Sequence, residues 1–300
     1  MFRLLSVQLK KLFTSPIFYT SIIAFITLLM FSPLHMNYEN NTEESVIYCL
    51  WHYSKQDMIN IGISEFFGYA VFKRAVRGWV IIMFVPVLAS LASVNIFSDE
   101  REFRVKRETV LRTGKKQYLF SNILFFMISG GLICMIGYIV FGILCGALFP
   151  ALSDFSAQEI NDYFMFNLKD STIIKTFYSH LGVIGLYLCD SLFYFLYGAL
   201  LSLPSILISS FLKNKYLIVC IPFFLKYCMN NISQRFYLKA GTQGNMNYHK
   251  WAEILNPESL INILSGNDYI KQIIIVNMLL AVILSACFVL IQSLGVDKGE

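Results

Sequence analysis

Three ionisable side chains stand inside long apolar runs or at their edge: Asp190, Lys226 and His180. A charge held among hydrocarbon groups costs at least about 2.5–3.5 kcal/mol on insertion scales, so each must face a partner or a hydrated cleft. An acid and a base in such a setting either form a structural ion pair or line a path for cargo. Asp190 and Lys226 are complementary in sign. Counted from the ends of their runs, however, they differ in depth by at least one helical turn, which argues against direct contact. A structural partner or a snorkelling ammonium accounts for Lys226 without any cargo. His180 reads as an interfacial residue rather than a proton relay.

Other chemistries lack their residues. The chain has no G-x-x-x-x-G-K-[ST] phosphate loop, no H-E-x-x-H, no G-x-S-x-G and no paired His–carboxylate constellation, so it reads as a non-enzyme without cofactor. Six of seven cysteines (Cys134, Cys145, Cys189, Cys220, Cys228 and Cys287) fall in apolar runs, and only Cys49 lies in a polar loop. That usage fits free thiols, neither a disulfide framework nor a metal site. No nucleic-acid partner is expected.

Six apolar runs must position these charges: Ile17–Leu34, Trp79–Phe97, Tyr118–Phe149, Leu181–Leu212, Tyr216–Ile232 and Ile273–Leu294. A crossing of about 30 Å of hydrocarbon needs roughly 20 mostly apolar residues. With 56% hydrophobic and 14% charged residues, the chain reads as one all-α membrane domain over 1–300 with six transmembrane helices. The third and fourth runs are long enough to tilt or kink. Pro204 marks the expected kink, with Ser202 and Ser205 beside it to satisfy freed carbonyls. The run at Tyr216–Ile232, with Pro222 and Lys226 inside, is not expected to cross as one regular helix.

Lys and Arg set the orientation. Segments 1–16, 98–117, 213–215 and 295–300 hold 13 bases in 45 positions, against 10 in 115 for the opposite loops. The positive-inside rule then puts both termini in the cytoplasm of a multi-pass cell-membrane protein. Lys73, Arg74 and Arg77 abut the second run on the opposite side. Ile59, Ile63, Phe66, Phe67 and Ala70 recur at helical spacing just before them, predicting a helix on the outer membrane surface with the three bases at headgroups. Ser156-Ala157-Gln158-Glu159 is a capping box announcing another short external helix. The run Glu39–Glu44 reads as a solvated loop, and binding of a basic peptide is its lesser reading.

Segment 98–117 is the most informative polar stretch. Acids crowd its start, bases its end, and Gly114 stands where a helix would stop, predicting a short cytoplasmic helix. Phe103, Val110 and Leu111 share a face, an apolar ridge suited to a partner's groove. A solvated basic hairpin that only sets topology is the alternative.

Phe97, Glu100, Leu111, Lys115, Lys116 and Tyr118 resemble the cytoplasmic loop of ATP-binding-cassette (ABC) type 2 permeases. There a Phe and Glu leaving the second span lead into a coupling helix, then a basic turn, then a Tyr opening the third span. Leu4–Pro16 is similar to that family's amphipathic N-terminal connecting helix, with Leu5, Leu9 and Leu12 on one face and Arg3, Lys10 and Lys11 available to anionic headgroups. Leu255–Ile261 resembles its Pro-initiated short external helix. The likeness covers nearly the whole chain. It implies the permease subunit of an exporter for hydrophobic or amphipathic cargo, antimicrobial peptides included. It further implies ATP-binding-cassette ATPase subunits and a second permease chain as partners in membrane lipid, with Glu100, Phe103, Val110 and Leu111 coupling to the ATPase. A non-transporting membrane scaffold or sensor is the alternative function. Asp190 and Lys226 remain structural charges or cargo-path residues.

Small residues mark close helix approach at Gly142-x-x-x-Gly146, Gly182, Gly185 and Gly198-x-x-x-Ser202; glycines there serve packing or flexibility.

Overall fold

The computed structural model describes residues 2–37, 41–102, 105–167, 172–243, 246–261 and 269–296. In chain order these form α1 (Phe2–Thr14), α2 (Pro16–Met30), β1 (Pro33–Asn37), β2 (Thr42–Ser45), α3 (Val46–His52), α4 (Lys55–Ile61), α5 (Ile63–Phe66), α6 (Gly68–Val76), α7 (Trp79–Glu102) and α8 (Val105–Thr113). Then follow α9 (Lys115–Leu148), the 3-10 turn η1 (Leu152–Asp154), α10 (Ala157–Asn167), α11 (Thr172–Ser209), α12 (Lys215–Gln243), α13 (Met246–Leu255), the 3-10 turn η2 (Pro257–Leu260) and α14 (Ile270–Val296). Helix dominates. Five helices are long and apolar enough to cross a membrane, and a sixth crossing results if α1 and α2, bent by 61°, count as one.

Local chemistry sets many boundaries. Ser15 precedes Pro16 at the first helical position of α2, where the missing proline N–H costs nothing. Ser54 and Asp57 form a reciprocal capping box on α4, which Gly62 ends with φ +123°. The Ser156–Glu159 box opens α10 as its sequence signals. Gly114, at φ +82°, separates α8 from α9.

One antiparallel β-hairpin interrupts the helical pattern, pairing His35 with Glu44 and Asn37 with Thr42. Glu44 is therefore not in a solvated loop: it is buried and accepts hydrogen bonds from Tyr53 Oη at 2.8 Å and Asn37 Nδ2 at 3.0 Å. Residues 39 and 40 of that acidic run lie outside the described residues. Cys49 is also displaced from expectation. It faces the core from α3, and burial followed by the nearby Glu44 carboxylate pushes its thiol up to about 12.

Two apolar clusters stack along the bundle. One, at the hairpin end, gathers Phe25, Phe66, Phe72, Tyr138, Phe141 and Tyr194. The other, at the α8 end, gathers Leu5, Leu12, Phe18, Phe97, Phe126 and Phe288. The α9–α11 crossing joins them. A Cβ at Gly198 would lie 2.4 Å from Gly130 O and 2.6 Å from Cys134 Sγ, and Ser202 Oγ donates to Phe126 O at 2.8 Å. Gly198-x-x-x-Ser202 thus packs helices. A Cβ at Gly146 would meet nothing within 4 Å.

Three helices depart from expectation. The break in α11 falls at Gly182 (φ 61°, ψ −148°), while helical torsions run on through Pro204. Only glycine reaches that conformation cheaply, whereas a proline in a helix flanked by packed neighbours can be accommodated without a break. Helix α12 runs unbroken for 29 residues with Pro222 inside it. Its polar second half is supported by α13, Ser233 Oγ donating to Ala252 O at 2.8 Å. The third is α6, which does not lie on a surface: Tyr69, Ala70, Val71, Phe72, Ala75 and Val76 are all buried, against α9, α2 and β1.

Two outcomes check this packing. Gly198→Leu should lower stability by about 1–3 kcal/mol in thermal unfolding of the detergent-purified chain, through overpacking, while Gly146→Ala leaves it unchanged or raised; equal effects would refute the close crossing. At pH 8, where an ordinary thiol is appreciably ionised, Cys49 should alkylate on the order of 100-fold more slowly than a free thiol. Iodoacetamide labelling read by mass spectrometry decides, and reaction at the free-thiol rate would mean that α3 is not seated.

Candidate functional site

The two buried charges of opposite sign occupy separate ion pairs. On α11, Asp190 is 1% exposed. It accepts a hydrogen bond from Tyr69 Oη at 2.7 Å and pairs with Lys73 Nζ at 3.0 Å, both from α6. On α12, Lys226 stands 2.8 Å from Glu258 Oε1 of η2 and 5.3 Å over the Tyr197 ring. The depth difference that separates Asp190 from Lys226 in sequence is resolved by two short helices, each bringing the missing countercharge inside.

A band of tyrosines lies between the pairs. Tyr138 of α9 stacks on Tyr194 of α11 with centroids 3.4 Å apart, and Tyr69 meets Tyr187 edge-on at 5.2 Å. The hydroxyls of Tyr138, Tyr187, Tyr194 and Tyr197 are buried and find no hydrogen-bond partner among the described residues. Each such group costs about 1–3 kcal/mol if left unmet. His180, by contrast, is exposed.

At the α8 end the polar groups form a collar. Glu100, in the last turn of α7, pairs with Lys11 of α1 at 2.9 Å. Gln8 is buried, donating to Asn122 Oδ1 at 2.7 Å and accepting from Ser121 Oγ at 3.0 Å. Thus α1 turns Leu5 and Leu12 onto the bundle. Arg101 donates to the Ser209 and Leu212 carbonyls, the latter at 3.0 Å, and Lys115 to Ser293 O at 3.1 Å. Cations at helix C-termini satisfy carbonyls that have no partner in their own helix.

The predicted short helix exists as α8, but its boundaries differ. Residues Ser98–Glu102 continue α7, so their acids close one helix instead of opening the next; at that end the dipole disfavours them, and Lys11 compensates Glu100. Val110 packs half-buried on the α8-end cluster, whereas Leu111 is 78% exposed and Arg112 only loosely pairs with Glu108 at 3.9 Å. The two apolar residues therefore do not form one outward ridge. Phe103 lies outside the described residues.

Sequence reasoning missed Tyr69, Lys73, Glu258, Lys11 and Arg101 as partners. A signal existed for Lys73: a basic cluster on the wrong side of the positive-inside pattern needs an acid. Among the described residues no group of three or more His, Cys, Asp or Glu could hold a metal ion. No family model, curated protein or solved structure matches the chain.

Breaking a buried pair leaves an uncompensated charge, costing about 3–5 kcal/mol. Lys73→Met and Asp190→Asn should each destabilise the purified chain by about 3 kcal/mol, and the double variant by clearly less than their sum. Strict additivity in denaturant unfolding would show that the two side chains do not interact.

Proposed function

We propose that the chain is the membrane-spanning permease subunit of an ATP-driven exporter for hydrophobic or amphipathic cargo. Separate ATP-binding-cassette subunits supply the energy, a second permease chain completes the cleft, and both termini with α8 face the cytoplasm. The observation that carries this reading is α8 and its bracing. A nine-residue helix with Leu111 outward sits between two long apolar helices, and the adjoining residues Glu100, Arg101 and Lys115 tie α1, α11 and α14 to its base. Force applied by a partner to α8 is thereby delivered to several crossings at once, which is the mechanical task of a coupling helix. Neither Asp190 nor Lys226 needs to touch cargo for this.

The folded layer of β1, β2 and α3–α6 favours the second reading, a non-transporting scaffold or sensor that binds a ligand at the hairpin end.

Affinity purification of the full chain from its native membranes separates the two. Under the exporter reading an ATP-binding-cassette subunit copurifies. Leu111→Glu and Glu100→Lys should lower its recovery at least about tenfold, equivalent to 1.4 kcal/mol, with permease abundance unchanged. Absence of any associated ATPase from the wild-type preparation would sink the exporter reading.

A further inference from the structure

The corner where α12, α13 and α14 meet at the hairpin end carries bases that the fold leaves unmatched. Arg235 and Lys239, about one turn apart on α12, and Lys271 at the start of α14 are exposed and have no acidic partner among the described residues. The described acids of α13 and η2 are committed elsewhere: Glu253 to His249 at 3.6 Å and Glu258 to Lys226 at 2.8 Å. Helix α13, which packs on both α12 and α14, exposes Trp251. We propose that this corner is a binding surface for anionic phospholipid, with Arg235, Lys239 and Lys271 at the headgroup phosphates and the Trp251 indole in the same layer.

Depth is the first support. Both long helices leave the polar collar of the α8 end, α12 just after the Leu212 carbonyl that Arg101 holds and α14 at the Ser293 carbonyl that Lys115 holds. From Lys215 to Arg235 the rise is about 30 Å, and from Ser293 back to Lys271 about 33 Å, close to the hydrocarbon thickness a crossing spans. Both counts bring a base out where headgroups begin. Register is the second. Helix α13 runs back along α12, with Ser233 Oγ donating to Ala252 O at 2.8 Å and the Tyr237 and His249 rings 5.2 Å apart. Trp251 is therefore level with the turn that holds Arg235, and Lys250 Nζ, 5.6 Å over the Tyr269 ring, ties α13 to the start of α14. Continuity is the third. Leu217, Phe224, Cys228, Asn231 and Arg235 share one exposed stripe of α12. The stripe is apolar up to Cys228 and polar from Asn231 onward, so a lipid lying along it has its chains beside the first part and its phosphate beside Arg235. A soluble acidic partner would answer the bases but not the apolar stripe that leads to them.

The inference goes beyond the exporter reading and its test uses neither nucleotide nor cargo, so either can fail alone. Tryptophan fluorescence is measured on the full chain in nanodiscs of phosphatidylcholine and phosphatidylglycerol, with one lipid at a time carrying a headgroup nitroxide. Subtracting the signal of the Trp251→Phe variant isolates Trp251. Labelled phosphatidylglycerol should quench Trp251 at least about fivefold more strongly than the same fraction of labelled phosphatidylcholine, the preference that one base near an anionic surface supplies. Combining Arg235→Gln, Lys239→Gln and Lys271→Gln should bring the two lipids to parity with thermal unfolding unchanged, because these side chains are exposed. The unsubstituted chain gives a second reading, since raising salt screens exposed charges and should weaken the preference. Quenching of Trp251 by aqueous iodide with no response to either labelled lipid would place the corner in water and overturn the proposal. Equal quenching by the two lipids, a preference insensitive to salt, or one that survives the triple variant would overturn it as well.

Discussion

A charge inside an apolar bundle must meet its opposite, and this requirement organises the hairpin end of the protein. Asp190 is 1% exposed, deep enough that solvation by bulk water is not an option. Lys73 and Tyr69 answer it from α6, and to reach Asp190 the whole of α6 must leave the surface and seat between α2 and α9. The following residues then inherit their places. Arg74 donates to Leu34 O at 3.2 Å and pairs with Glu65, which also contacts His35 of β1. One carboxylate on α11 thus fixes a short helix, and that helix fixes the hairpin above it.

The two ends of the bundle are held by different physics. At the α8 end, cationic side chains satisfy helix-terminal carbonyls, a contact that forms only when several helix ends are level. Between the ends, Gly130 and Gly198 bring the backbones of α9 and α11 together, the low-profile contact available where neighbouring apolar surface offers no hydrophobic gain. Outside this pair, α14 presents Ile275, Met278, Leu279, Val282 and Ile283 outward, as expected of a helix whose neighbours are lipid or another chain.

Legibility followed the range of the interaction. Apolar runs, the Ser156–Glu159 box, the Gly114 stop and the Ser15-Pro16 helix start are written in a few adjacent residues, and the structure uses each where it stands. Long-range pairing was not legible in that way. The Ile59–Ala70 periodicity picked out residues that are mostly buried but not the single helix it predicts: Gly62 and the extended Phe67 divide them among α4, α5 and α6, and what seats α6 lies at Asp190, over a hundred positions later. Cys49 looked exposed because its neighbours are polar, yet β1 and β2 fold over that region. Pro204 was an obvious candidate for a kink, but torsional freedom mattered more than a missing donor, and Gly182 took the break. The same reasoning failed for Pro222, because the extent of α12 depends on α13 packing against its polar half.

The Lys73–Asp190 pair also has a consequence in time. The two residues are 117 positions apart, so at about 5–20 residues per second a ribosome needs roughly 6–23 s after making Lys73 before Asp190 exists. During that interval Lys73 lacks the carboxylate that it pairs with in the fold. The contact that seats α6 on α11 therefore cannot form until α11 has been made, whereas the packing of α6 on α2 and β1 needs only residues already synthesised.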